Sequence, residues 1–412
     1  MTPTSGKAWA AQFRNEIEGN ILRFWTERAV DHGNGGFYGL IDSAGRVDEK
    51  APKAAVIHAR ALWTFSTACR LLGERYRTTA EHAFAYLSGK FWDAEKGGLF
   101  WMLDYRGRPL APRKQIYAQA FGIYAFAEYH RATGDALSLD IAKKLFRLVE
   151  EHSYDPLHGG YIEALDRDWQ PLQDMRLSDK DLNAPKSMNT HLHVLEAYTN
   201  LLRVWRDPGL AEKQGRLLNV MLERIVDPKT AHFKLFFDRQ WTTLSDRISF
   251  GHDIEGSWLM VEAADVLGDG GLLARARKTA VAMAEAVRRE GLDRDGSVFY
   301  EADCAGRLVD PSKHWWVEAE GVIGFYNAYE ISGDPHYLKA ARKAWNYIEE
   351  KVVDRLHGEW HAKLTREGVP LTEAEDPDAV LAGLWKCPYH NARLCYEMME
   401  RLENAKDRKV AL

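Results

Sequence analysis

The sequence lacks the features that would mark a membrane, secreted or nucleic-acid-binding protein. No stretch approaches the roughly 20 apolar residues needed to span a bilayer. The opening MTPTSGKAWAAQFRNE has no apolar run of the signal-peptide kind. Four cysteines (Cys69, Cys304, Cys387 and Cys395) show no Cys-x-x-Cys spacing, which argues against structural disulfides or a zinc ribbon. A reducing cytoplasm is the expected location. Charge of one sign is also missing: 55 basic against 60 acidic residues leave −5, too mild for a nucleic-acid or membrane partner. The Gly-rich run Gly268-Asp269-Gly270-Gly271 joins two helical stretches and follows no strand, so it is no dinucleotide fingerprint. Walker-type and Gly-x-Ser-x-Gly motifs are absent too, and no nucleotide cofactor is expected.

What is present is a repeat. DHGNGGFYGLIDSAG starts at Asp31, DAEKGGLFWMLDYRG at Asp93 and DPLHGGYIEALDRDW at Asp155. DPKTAHFKLFFDRQW follows at Asp227, DRDGSVFYEADCAG at Asp293 and DRLHGEWHAKLTREG at Asp354. The spacings are 62, 62, 72, 66 and 61 residues, and a recurring period dictates architecture. Each copy reads as a small hairpin: Asp, a polar or glycine turn, a few strand-like residues, a second turn. Between copies lie two helical stretches joined by Gly, Pro and Asp, such as 54–72 with 76–91 and 187–205 with 210–225. Residues 7–25 behave as the second helix of a pair and 389–403 as the first, so the termini complete a sixth pair. The first helices are apolar nearly all round and the second carry charge stripes, which predicts a buried ring inside an exposed one. The expectation is an all-α (α/α)6 barrel: twelve helices in inner and outer rings, short hairpins at one mouth, a single catalytic domain over 1–412. A TPR-like superhelix has a period near 34 residues and no hairpin.

In such a barrel the inner helices all start at the hairpin mouth and converge on one pocket. Those starts hold Arg60, Tyr117, Asn189 with His193, His252 with Glu255, Trp315-Trp316 with Glu320, and His390 with Asn391 and Arg393. His252 and Glu255 are three apart and share a helix face, where a carboxylate can orient the ring and raise its basicity. Asn189 and His193 share a face as well; His191 points elsewhere, and His58 is read as structural. His193-x-x-Glu196 and His252-x-x-Glu255 could suggest a metal, but the order is the reverse of the di-iron Glu-x-x-His, and Glu196 is one turn too deep. No His-Glu-x-x-His exists, and no catalytic metal is expected. Two chemistries fit. Glycoside hydrolysis needs two carboxylates, for which Glu255, Glu320 and Asp181 could serve. Proton abstraction beside a sugar carbonyl needs an acid/base pair with pKa near 7 and donors for the enediolate oxygens. Fifteen histidines favour the second, and fourteen tryptophans offer flat faces for sugar rings.

The strings SMNTHLHVLEAY, SFGHDIEGSWL, HWWVEAEGVIGFYNAY and WKCPYHNAR, with VIHARALWTF and RKQIYAQAFGIYAFAE, resemble the cellobiose 2-epimerases of the N-acylglucosamine 2-epimerase superfamily. The likeness runs over nearly the whole chain. It implies a cofactor-free enzyme acting on C2 of the reducing-end sugar of β-1,4-linked disaccharides, cellobiose and lactose among them; a monomer is expected. The N-acylglucosamine and mannose-isomerising branches of the superfamily, and an (α/α)6 glycoside hydrolase from outside it, are the alternatives. By the resemblance His390 and His252 are the acid/base pair and His193 assists ring opening. Arg60, Tyr117 and Asn189 match positions that hold O1, O2 and neighbouring hydroxyls. Trp315 and Trp385 match stacking positions, and Asp181 a position near the outer sugar. Where relatives often carry Pro-Gln, this chain has Val317-Glu318; Glu318 is expected off the pocket-facing side.

Overall fold

Asp31, Asp93, Asp155 and Asp354 each fold their own turn. One carboxylate oxygen accepts the backbone N–H groups two and three residues on, at 2.8–3.2 Å. The chain then reverses through Gly36, Gly98 and Gly160, at φ of 69°, 74° and 79°. The same antiparallel bridge closes all six hairpins: Val30 to Phe37, Trp92 to Leu99, Tyr154 to Tyr161, Val226 to Phe233, Leu292 to Val298 and Val353 to Trp360. The Asp also has a second task that its position in the repeat does not announce. A buried lysine just ahead of the next inner helix reaches back to it: Lys53 to Asp31 at 2.7 Å, Lys114 to Asp93 at 3.0 Å, Lys186 to Asp155 at 2.9 Å, Lys313 to Asp293 at 3.1 Å. In the sixth repeat Lys386 takes Glu359 instead. The fourth has Ile248 at the lysine position; its fastening is His232, held between Asp253 at 2.7 Å and Glu290 at 3.1 Å.

The structure, a computed structural model, describes residues 3–404; the expected domain limits at 1 and 412 lie outside them. Among these residues twelve helices alternate between two rings. The inner ring is α2 (Ala55–Leu72), α4 (Ile116–Thr133), α6 (Met188–Val204), α8 (Phe250–Leu267), α10 (Trp315–Ser332) and α12 (His390–Asn404). The outer ring is α1 (Pro3–Glu16, running on through the π turn Ile17–Ile21 into Leu22–Glu27), α3 (Arg77–Tyr86), α5 (Ala136–His152), α7 (Pro208–Val220), α9 (Gly270–Glu290) and α11 (Pro335–Tyr347). This is the (α/α)6 barrel that the repeat spacing predicts. Two joints differ in detail. Pro208-Gly209 and Gly270-Gly271 lie inside the first turns of their helices, because Asp207 and Asp269 cap those turns and Pro at the first position needs no donor.

The hairpins are also what closes the ring. The two or three residues entering each inner helix pair antiparallel with the next hairpin: Lys53–Ala54 with Met102–Leu103, Lys114–Gln115 with Ala164–Leu165, Lys186–Ser187 with Phe236–Phe237, Arg247–Ser249 with Glu301–Asp303, Lys313–His314 with Lys363–Leu364. Ile41 of the first hairpin bridges Ala382, ahead of the last inner helix, and the circle is complete. No helix among the described residues is long and apolar enough to cross a membrane.

Candidate active site

Counting from the lysine position ahead of each inner helix (Lys53, Lys114, Lys186, Ile248, Lys313 and Lys386) puts the side chains in register around the barrel. In the first five repeats the fifth residue on turns outward and accepts a hairpin N–H. His58 takes Phe37 at 3.0 Å, Gln119 takes Leu99 at 2.7 Å, His191 takes Tyr161 at 2.9 Å and Asp253 takes Phe233 at 2.7 Å. Glu318 does the same for Val298 at 3.1 Å, so its carboxylate faces a hairpin and not the pocket. Two residues further is about 200° around a helix, which points the side chain at the barrel axis. Those six residues are Arg60, Phe121, His193, Glu255, Glu320 and Arg393. Most of them meet as neighbours: Arg60 lies 4.2 Å over the Phe121 ring, Phe121 is 4.8 Å from His193, and Arg393 bonds Glu255 and Glu320.

Above this layer, at the mouth, stand Tyr117, Asn189, His252, Trp316 and His390. Arg60 donates to the Tyr117 hydroxyl at 2.7 Å and lies over the Tyr389 ring at 4.6 Å. The Tyr117 ring meets His193 at 5.0 Å and Trp385 at 6.0 Å. Trp316 is packed between the two mouth histidines, 4.8 Å from His252 and 5.5 Å from His390. Gly251 allows this: a Cβ there would stand 2.6 Å from the Trp316 ring. Trp315 is buried, edge-on to His390 at 5.3 Å and beneath the Lys386 ammonium at 4.4 Å. The Asn189 side-chain oxygen is buried without a protein partner. Asp181, half-buried on its linker, accepts from Ser178 at 2.8 and 2.9 Å, and burial raises its pKa.

The histidines are held differently. His390 Nδ1 meets Glu320 at 2.8 Å and His193 Nδ1 meets Glu196 at 2.9 Å. An ionised carboxylate only accepts, so each ring must donate from Nδ1, and a neutral ring then carries its lone pair on Nε2. His252 Nδ1 lies 2.7 Å from the Ser249 hydroxyl, which can give or take a proton. Burial, with Arg393 and Arg60 close by, pushes His390 well below the usual histidine range. Burial and His193 push His252 down to about 3. Both rings are therefore neutral at rest and able to accept a proton. Burial and the Glu320 charge lift Glu255 to about 7. Burial opposes ionisation of Glu196, but Arg393 and His193 outweigh it and hold it at about 2.

Several sequence expectations need correction. Glu255 does not orient His252, although the two share a helix face. It bonds Arg393 from across the barrel and stands 3.9 Å from His390 Nδ1, because a guanidinium outcompetes a neutral ring for a buried anion. Glu320, expected among the sugar contacts, is fully buried with its oxygens taken by Trp258 at 2.9 Å, Arg393 at 2.6 Å and His390. Glu196 is one turn deeper than the pocket, yet it is the partner of His193. Glu196, Ser249, Trp258 and Tyr389 were missed as parts of the site, and Arg393 was noted without a task. Counting seven residues from the lysine position ahead of each inner helix would have found Arg393.

Glu255, Glu320 and His390 bring ligand atoms within 4.8 Å of one another, the geometry of a cation site. Arg393 supplies the positive charge there itself, bonding one oxygen of each glutamate. On the far side of this layer lies a cavity of about 430 Å3, lined by pairs such as Arg70–Glu128, Arg203–Glu262 and Arg401–Glu330. Arginine–carboxylate pairs make up much of its wall, and the groups able to move a proton stand at the mouth.

Residues 36–382 match the family model of N-acylglucosamine 2-epimerase (GlcNAc 2-epimerase). The chain is 46% identical to a cellobiose 2-epimerase of Bacteroides fragilis over 389 residues, 94% of this chain and 98% of that one. It is 37% identical to a cellobiose 2-epimerase of Ruminococcus albus over 393 residues, 95% and 98% of the two chains. The solved structure of a cellobiose 2-epimerase from Bacillus thermoamylovorans superposes with a TM-score of 0.90 at 40% identity, covering 96% of this chain and all of the other.

Proposed function

Because this chain belongs to the N-acylglucosamine 2-epimerase family, we propose that it is a cellobiose 2-epimerase, interconverting glucose and mannose at the reducing end of β-1,4-linked disaccharides. Cellobiose becomes glucosyl-mannose and, by the same chemistry, lactose becomes epilactose. The observation that carries the reading is the pair of neutral histidines, His252 and His390, on either side of Trp316 in one mouth. Epimerisation at C2 needs one group to take the proton and another to return it on the opposite face. His390 offers a lone pair on Nε2, and His252, on a hydroxyl, can present either a lone pair or a proton. His193 assists opening of the sugar ring. Arg60 and Tyr117, bonded to each other, face O1 and O2, where charge develops in the enediolate. Rotation about C2–C3 then exposes the other face to the second histidine. Asn189 contributes a free acceptor for a sugar hydroxyl, and Trp315, Trp316 and Trp385 line the ring positions, with Asp181 toward the outer sugar. The chemistry draws on no metal or nucleotide, and the barrel acts as one catalytic unit in the cytoplasm.

The hydrolase alternative fares worse on geometry: one Arg393 nitrogen bonds both Glu255 and Glu320, leaving no room between them for a scissile bond. Incubation with cellobiose in D2O, followed by NMR, tests the proposal. Deuterium should enter C2 of the reducing sugar as the mannose epimer accumulates, and His252→Ala and His390→Ala should each abolish this with the fold intact. Release of glucose, or ordinary turnover in either variant, would overturn it.

A further inference from the structure

Arg393 has 1% of its surface exposed and touches groups from three other inner helices. One terminal nitrogen bonds Glu196 of α6 and the Tyr389 hydroxyl. The other bonds Glu255 of α8 and Glu320 of α10, the latter at 2.6 Å. The guanidinium is sandwiched against the Tyr389 ring at 4.3 Å and the Trp258 ring at 4.9 Å. Two of its three carboxylates go on to a histidine: Glu196 to His193, Glu320 to His390. Among the described residues no other arginine and no lysine bonds either glutamate.

We propose that Arg393 is a positioning residue of the reaction: one guanidinium that fixes the orientation and proton-donor sense of both His390 and His193, and so decides which ring nitrogen each turns to the sugar. The inference rests on the epimerase reading. It follows from how carboxylates behave when buried. Each of the three glutamates would escape burial by taking up a proton, and a protonated carboxyl can donate to Nδ1 and reverse the ring's donor sense. A cation bonded to all three opposes that protonation, most completely at Glu196, which Arg393 and His193 hold at about 2. Arginine is required because a planar fork reaches several acceptors at fixed angles, whereas lysine is a point charge. The placement of Arg393 also explains why Glu255 comes to it and not to His252.

A purely structural clamp would predict lost stability and nothing more. Three measurements separate the two. In R393K, kcat should fall about 100-fold, as when the orienting partner of a functional histidine is lost, while KM stays within about threefold because Arg393 lies beneath the pocket. In R393M the acid limb of the kcat/KM profile should move to higher pH, since a positive charge beside His390 is gone. In wild type, deuterium should enter C2 of cellobiose. A kcat for R393K within threefold of wild type, or an acid limb in folded R393M that does not move, would overturn the role of Arg393. If R393M does not fold, the kcat of R393K decides alone. Absence of C2 labelling in wild type would instead sink the epimerase reading, independently of Arg393.

Discussion

Replacing Glu320 by glutamine tests whether this residue serves His390 or the sugar. Glu320 is fully buried and accepts three protein hydrogen bonds, from His390 Nδ1 at 2.8 Å, Arg393 at 2.6 Å and Trp258 at 2.9 Å. When His390 takes the C2 proton it becomes an imidazolium facing this carboxylate. A hydrogen bond to a charged group is worth roughly 1.5–3 kcal/mol and a neutral one about 0.5–1.5, so the amide should weaken imidazolium stabilisation by about 1–2 kcal/mol. That converts to a fall in kcat of about 5- to 30-fold. The amide can keep its oxygen toward Arg393 and His390 only by turning its NH2 toward the Trp258 N–H. Two donors then face each other, at a cost of about 1–3 kcal/mol in stability. The assay is the rate of C2 deuterium incorporation at varied cellobiose, beside urea unfolding of the same variant. A kcat within twofold of wild type would refute the reasoning. A raised KM at unchanged kcat would refute it differently, by putting Glu320 on the substrate as the sequence suggested.

His232, gripped by Asp253 and Glu290, has its pKa raised to about 9 against burial. A raised folded-state value stabilises fully below the ordinary value near 6.5 and is lost as pH climbs through 9. The stability gap between wild type and H232Q should therefore shrink by about 3 kcal/mol between pH 6.5 and 9.5; a constant gap in urea titrations would count against the ion pair. Lys186, buried, bonds Asp155 at 2.9 Å and the carbonyls of Gly159 and Arg239 at 2.7 Å. K186M should cost about 3–5 kcal/mol, and adding D155N should recover part of that in a denaturation series because no unpaired charge remains. Gly251→Ala drives a methyl into the Trp316 ring; a loss of about 1–3 kcal/mol is expected together with a raised KM for cellobiose, and an unchanged KM would mean Trp316 does not define the sugar pocket.

Much of the fold was legible because it is repetitive. A hairpin that recurs every sixty-odd residues with two helices between leaves one economical closure, and Gly, Pro and Asp mark helix ends by backbone chemistry alone. The concentration of Arg60, His193, His252, Glu320 and His390 at inner helix starts was legible for the same reason: spacing along a helix fixes the direction of each side chain. The hairpin Asp was visible six times, but its lysine partner was not, since Lys53 and Asp31 meet only after the chain has turned back.

Spacing gives direction and not what waits there. Glu255 lies on the His252 face of its own helix, yet its partner comes from 138 residues away. Asp155 and Asp227 open near-identical hairpins, yet the fourth repeat, with Ile248 in the lysine position, is fastened by a histidine. Sequence alone determined the period, the rings, the mouth and the kinds of group that gather there. Only the closed barrel decided their pairing, because six helices bring six independent side chains to one axis, and there the buried guanidinium of Arg393 takes the nearest anions whatever their place in the chain.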